Sequence, residues 1–317
     1  MNRRVKATAI AALSSVVVGA ALIACDGPVS TAEKTAGKVT EETVEKNLGD
    51  EYRDGDQFSG TKKIRVGKHF VNVSCSGDAT EGKPLVMLMA GGGDGLDTMA
   101  DLQKTLSERS RVCSYDRLGE GKSDQPNGPQ TIDDSAKILT GVLDRLAGDR
   151  SVVLAGHSLG GYIAARYAPD HPDRIKGLVL MDATIPALTA GISKAIPESA
   201  TGMAAELRDQ TMAVNEGQNP EQFIIADTQV RSAGKIPVQI IKHESQYAEV
   251  PEYGPALEEM WSKGQQQWRA LSSRSTLSTA AGTGHYIHVD RPDIAVKAIQ
   301  RVTAQAAQAA QAAGNNR

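Results

Sequence analysis

The chain has 317 residues, enough for one large domain with a sizeable core, and its 35 Lys and Arg against 38 Asp and Glu give a net charge of −3. With no basic run after the N-terminal segment, that charge argues against a nucleic-acid partner. The 4% aromatic content argues against a carbohydrate groove, and no dinucleotide fingerprint or P-loop is present.

In chain order, Arg3, Arg4 and Lys6 precede an apolar stretch from Ala7 to Ala21, which reads as an export signal over residues 1–24. It closes on Leu22-Ile23-Ala24-Cys25, which resembles a bacterial lipoprotein box. That resemblance implies cleavage before Cys25, acylation of Cys25, and anchorage on the outer face of the cell membrane, where two or three acyl chains hold far better than one. Residues 25–57 are polar and lack apolar periodicity, as expected of a flexible tether. A strand follows at His69–Ser74, then a continuous apolar run, Pro84–Met89, of the buried parallel type, ending in Ala90-Gly91-Gly92-Gly93. Another strand, Arg111–Tyr115, leads into Asp116-Arg117-Leu118-Gly119-Glu120-Gly121-Lys122-Ser123. Apolar residues at Ile138, Leu139, Val142, Leu143 and Leu146 predict a helix over residues 132–146 with one buried face.

The most informative stretch is Gly156-His157-Ser158-Leu159-Gly160, entered from the apolar run Ser151–Ala155 and followed by a helical pattern from Tyr162. This is a G-x-S-x-G nucleophile elbow: a strand, a strained turn carrying a serine, then a helix. Glycines two residues either side of the serine let the turn close. The hydroxyl then stands at the positive end of a helix, where an oxyanion is stabilised. Beyond it come strands at 175–182, 236–241 and 274–280, with an irregular helical stretch at about 183–235 broken by Pro186, Pro197, Gly217 and Pro220. The last helix starts near Pro292, and an Ala/Gln-rich tail, residues 304–317, is expected to fray past the domain. Alternating strands and helices predict one α/β domain with a mostly parallel central sheet.

From about Ile64 to about Val302 these motifs resemble the α/β-hydrolase fold superfamily. The resemblance implies a hydrolase domain over residues 58–303, with the stretch at 183–235 as a helical lid. It assigns Ser158 as nucleophile and the backbone amides of Gly92 and Leu159 as the oxyanion hole, although alanine stands at position 90 where relatives often carry histidine. Asp116 and Arg117 take a scaffolding salt-bridge role. A serine hydroxyl needs a base, and Gly284-His285-Tyr286-Ile287-His288-Val289-Asp290-Arg291-Pro292 resembles the family's G-H-x-x-x-x-D-x-P segment, which makes His285 the base and leaves His288 as its alternative. His157 lies inside the elbow and points the wrong way. For the acid, the loop after the penultimate strand carries Glu244 and Glu249 but no aspartate. Asp182, at the tip of the strand after the elbow helix, leads, with Glu244 and then Glu249 behind it. The superfamily's strand order makes the second and fourth strands neighbours and so implies a Cys75–Cys113 disulfide, suited to an oxidising compartment.

No cofactor is expected, and no Cys or His cluster has metal-ligand spacing. The reading is an exported serine hydrolase cleaving a carboxylic ester or related acyl bond of a small molecule, with the membrane as its other partner. A proline-iminopeptidase-like peptidase or an acyltransferase on the same triad is one alternative. The peptidase would need carboxylates to grip an amino terminus, for which Glu198, Glu206 and Glu221 are the weak candidates. A non-catalytic ligand-binding surface lipoprotein is the other. Nothing in the sequence fixes an oligomeric state.

Overall fold

A computed structural model describes residues 58–314, so Cys25 and the segments 1–24 and 25–57 lie outside the described residues. The strands follow the apolar runs. β1 (Gly60–Val66) and β2 (His69–Ser76) form an antiparallel hairpin, and β2 also pairs antiparallel with β4 (Val112–Tyr115). From there the sheet is parallel: β4, β3 (Leu85–Met89), β5 (Val152–His157), β6 (Ile175–Met181), β7 (Val238–His243) and β8 (Ser275–Ala280). The order β1-β2-β4-β3-β5-β6-β7-β8 places β5 well inside the sheet. Its sequence Val-Val-Leu-Ala-Gly-His is buried throughout, as a strand covered on both faces requires.

Helices α1 (Ala100–Ser107) and α8 (Pro292–Gly314) contribute to the core on one face of the sheet, which includes Leu102, Leu106, Ala295, Ile299 and Val302. On the other lie α2 (Ile132–Ala147) and α3 (Ser158–Tyr167), packed through Leu139, Leu143, Ile163 and Tyr167. A capping box between Thr131 and Asp134 starts α2. α8 continues to Gly314; Ala306 is buried in the core, while residues 308–312 are exposed.

Between β6 and β7 the chain makes an excursion containing α4 (Leu188–Ala195) and α5 (Gly202–Asn215). The Asp227 carboxylate accepts from the Thr189 and Ala190 amides and so caps α4. After β7 comes α6 (Gly254–Gln267), which shares a third core cluster with this excursion through Ile185, Ile192, Ile196, Leu257 and Trp261. Cys75 and Cys113 are opposite one another in the β2–β4 register and are joined by a disulfide. Among the described residues no helix is long and apolar enough to cross a membrane.

Candidate active site

The elbow geometry follows from close backbone approach. A Cβ on Gly156 would lie 2.5 Å from the Gly160 carbonyl and the Gly161 nitrogen, and one on Gly160 would lie 2.4 Å from the Met89 carbonyl oxygen. No side chain fits at either position, so the turn from β5 into α3 can tighten against the end of β3. Ser158 sits at φ +49°, a left-handed conformation that a non-glycine residue adopts only when its surroundings impose it. Leu159 follows in the first turn of α3, where backbone N–H groups have no intrahelical acceptor.

The loop after β3 meets the elbow: a Cβ on Gly92 would lie 3.3 Å from the Leu159 side chain. Its peptides are oriented by Arg117. The guanidinium donates to the Ala90 and Gly91 carbonyl oxygens, each at 2.7 Å. In a trans peptide the N–H points opposite the preceding carbonyl, so fixing the Gly91 carbonyl toward Arg117 turns the Gly92 N–H away from it. Arg117 is itself held by a bidentate pair to Glu221, with both contacts at 2.6 Å and both side chains buried. This corrects two readings. The partner of Arg117 is Glu221 rather than Asp116, whose carboxylate instead accepts from the Leu96 and Lys122 amides and the Asn72 side chain. Glu221, spoken for by Arg117, is unavailable to grip a ligand amine, while Glu198 and Glu206 are exposed. Glu120 accepts from the Gly93 amide, and burial together with the neighbouring Glu221 pushes its carboxyl up to about 8.

Asp182, immediately after β6, is completely buried and also left-handed, at φ +47°. His285 Nδ1 lies 2.7 Å from its Oδ2. Burial alone would raise this carboxyl, but the hydrogen bonds from His243 and His285 outweigh it and hold the group well below the ordinary carboxylate range. Glu244 lies elsewhere: its Oε2 accepts from the Gly282 amide at 2.8 Å. The structure therefore brings Asp182, and not Glu244, to His285. His157 is buried beside His285, with its Nε2 3.0 Å from the His285 carbonyl oxygen and its ring centroid 4.6 Å from that of His285. His288 packs against His157 at 4.7 Å. Burial, then the nearby His285, holds His157 well below its usual value and His288 at about 4, so both are neutral at neutral pH.

Three contributors escaped the sequence reading. Trp261 Nε1 donates to Asp182 Oδ1 at 2.8 Å. His243, the last residue of β7, places Nδ1 2.7 Å from Asp182 Oδ2 and Nε2 2.8 Å from Glu258 Oε2. Glu258 and Trp261 stand three apart on α6, a helix the sequence reading passed over, and that spacing on one helical face was the available signal. Asp182, His243 and His285 offer donor atoms within 4.8 Å of one another, but both His243 nitrogens and His285 Nδ1 already face carboxylate oxygens at hydrogen-bond distance.

A family model described as alpha/beta hydrolase fold matches residues 83–218, and the sheet order and elbow agree with it. The chain has the α/β-hydrolase fold, and its residues 83–218 carry that family's sequence pattern. Among its relatives, the human (lyso)-N-acylphosphatidylethanolamine lipase is 35% identical over 114 residues, covering 35% of this chain and 33% of that protein. The chain thus matches about a third of the length of such curated relatives. Among solved structures, the proline iminopeptidase of Mycobacterium smegmatis superposes with a TM-score of 0.58 at 16% identity, over 79% of this chain and 100% of that one. The carboxylesterase CesB of Bacillus subtilis gives 0.54 at 17% identity, over 78% and 92%. These structural likenesses are of fold.

Proposed function

We propose that the chain is a serine hydrolase that cleaves a carboxylic ester or related acyl bond through an acyl-enzyme on Ser158. The observation that carries this reading is the buried Asp182–His285 hydrogen bond, 2.7 Å long, formed from the end of β6 and the loop after β8 beside the elbow, where the ring of His157, the residue before the strained Ser158, lies 4.6 Å from that of His285. In the proposed reaction Ser158 Oγ attacks the acyl carbonyl while His285 takes its proton. Asp182, accepting from Nδ1, holds the imidazole in the tautomer that leaves Nε2 free as base and stabilises the imidazolium that forms. The developing oxyanion is received by the Gly92 and Leu159 amides. His285 then protonates the leaving group, and water activated by the same imidazole releases the acid.

An ester is favoured over a peptide with a free amino terminus because the buried Glu221 is paired with Arg117 and the other two carboxylates face solvent. The excursion at 183–235 serves as the lid in this reading. We further propose that the enzyme is exported and tethered through lipidated Cys25. Replacing Cys25 with Ser should move it from the membrane to the soluble fraction, and unchanged retention would remove that part.

The chemistry is tested by hydrolysis of p-nitrophenyl esters from acetate to palmitate beside Ser158→Ala, with a fluorophosphonate probe in parallel. Turnover and labelling that vanish in the variant support the serine esterase. Labelling without ester turnover points to amide or transfer chemistry, and neither in the wild type points to a ligand-binding protein.

A further inference from the structure

His285 is one end of a longer chain of hydrogen bonds. Asp182 Oδ2 faces His285 Nδ1 and His243 Nδ1, each at 2.7 Å, while Oδ1 accepts from Trp261 Nε1 and from the His243 amide. With four donors and complete burial, this carboxylate is ionised. At the far side, Glu258 Oε1 accepts from the Gln246 and Tyr247 amides at 2.5 and 2.7 Å, and its Oε2 faces His243 Nε2. Both nitrogens of the buried His243 ring therefore point at oxygens of carboxylates. A neutral imidazole donates from only one nitrogen, so this arrangement is satisfied in full only by an imidazolium. Burial lowers the proton affinity of His243, but the two carboxylates outweigh it and raise the group to about 9; Glu258 is likewise held at about 2.

We propose that His243 and Glu258 are positioning residues that set the pH range of the acyl transfer: the His243 imidazolium, held between Asp182 and Glu258, offsets the Asp182 charge that faces His285. The proposal rests on His285 acting as the base of the acyl transfer. The other groups facing His285 do not supply that offset. His157 from β5 and His288 from α7 (Ile287–Asp290) are neutral, Tyr286 is pushed up to about 12 by burial and the nearby Asp94, and Asp94, from the loop after β3, brings only an acid. His243 itself is faced by Asp182, Glu258 and the neutral Tyr247, and by the Trp261 ring stacked at 6.0 Å.

The arrangement differs from an ordinary triad in a measurable way. His243→Asn keeps a donor near the Nδ1 position but removes the charge, and the acid limb of the kcat/KM profile should move to higher pH by about one to two pH units, given a unit charge about 5 Å away. His243→Asn combined with Glu258→Gln removes one charge of each sign and should move it in the same direction. A merely structural loss would lower the plateau and leave the midpoint in place. An unmoved or lowered midpoint in either folded variant overturns the proposal. Nitrogen-15 shifts of the wild-type imidazoles add a test that needs no variant: His243 protonated on both nitrogens at pH 7.5 supports the proposal, and a singly protonated ring overturns it. If the wild type hydrolyses no ester and Ser158 stays unlabelled, the serine-hydrolase reading fails separately. The His285 resonance, titrated in wild type and variants, still answers whether the charge link exists.

Discussion

Replacing Glu221 with Gln leaves the Arg117 guanidinium buried with neutral acceptors, and the consequences divide between stability and rate. Both side chains are nearly free of solvent, at 4% and 5% exposure, so screening by water is slight. Breaking such a pair by removing one partner costs about 3–5 kcal/mol. At about 2–4 °C of Tm per kcal/mol for a domain of this size, the melting point should fall by roughly 6–20 °C. Arg117 also donates to the Ala90 and Gly91 carbonyls, so a guanidinium that shifts releases the peptide carrying the Gly92 N–H. Losing one oxyanion donor costs about 10²–10³ in rate. The double variant Arg117→Met, Glu221→Leu separates the two effects, because apolar side chains of similar volume commonly restore the stability of a buried ion pair. Differential scanning calorimetry and ester turnover should then show a recovered Tm with kcat still depressed. Full turnover in the stable double variant would refute the role of Arg117 in orienting the oxyanion loop. An unchanged Tm in Glu221→Gln would refute the energetic estimate.

Three further expectations are independent of that one. Asp182→Asn should lower kcat by about 10⁴, as loss of tautomer control does in serine triads, and near-normal turnover would dismiss Asp182 as the acid. Glu120 keeps its proton to about pH 8 in the fold but loses it near pH 4.5 when unfolded, so the native state binds more protons across that window and stability falls as pH rises through it. Glu120→Gln should flatten that decline in urea denaturation at pH 5 and pH 8, and an identical slope would contradict the buried neutral carboxyl. Removing the disulfide by Cys75→Ser and Cys113→Ser reopens a loop spanning 38 positions and should cost about 3–4 kcal/mol, read as a lower denaturation midpoint.

The parts of this molecule readable from its sequence are those governed by local physics. Buried parallel strands such as Leu85–Met89 and Val152–His157 announce themselves as unbroken apolar runs, and the elbow is written in the glycines that must yield to backbone at 2.4–2.5 Å. Asp182 and His285 stand at strand ends where chain order and motif direct attention. By contrast, Glu258 and Trp261 lie on a helix whose sequence, Gly-Pro-Ala-Leu-Glu-Glu-Met-Trp, has no motif attached, and their relation to Asp182 arises only when α6 folds back over the ends of β6 and β7. The Arg117–Glu221 pair is hidden for the same reason, since its partners are 104 positions apart. Asp116 sits beside Arg117 in the chain and so invited a pairing, but its oxygens are taken up by backbone amides.

The Cys75–Cys113 link also bears on how this fold responds to being pulled. In the β1–β2 hairpin Gly60 is level with Cys75, so force applied at the N-terminal end of the described chain enters beside the bonded cysteine. β1 would peel away one rung at a time, a low-force geometry, but the next strand is fastened covalently to β4, which runs alongside β3. Stretching therefore sheds an outer ribbon and then stalls, sparing the β3–β5 pair on which the serine turn is built. Under reducing conditions that stop disappears, and the same tension would travel inward to the strands that carry the elbow.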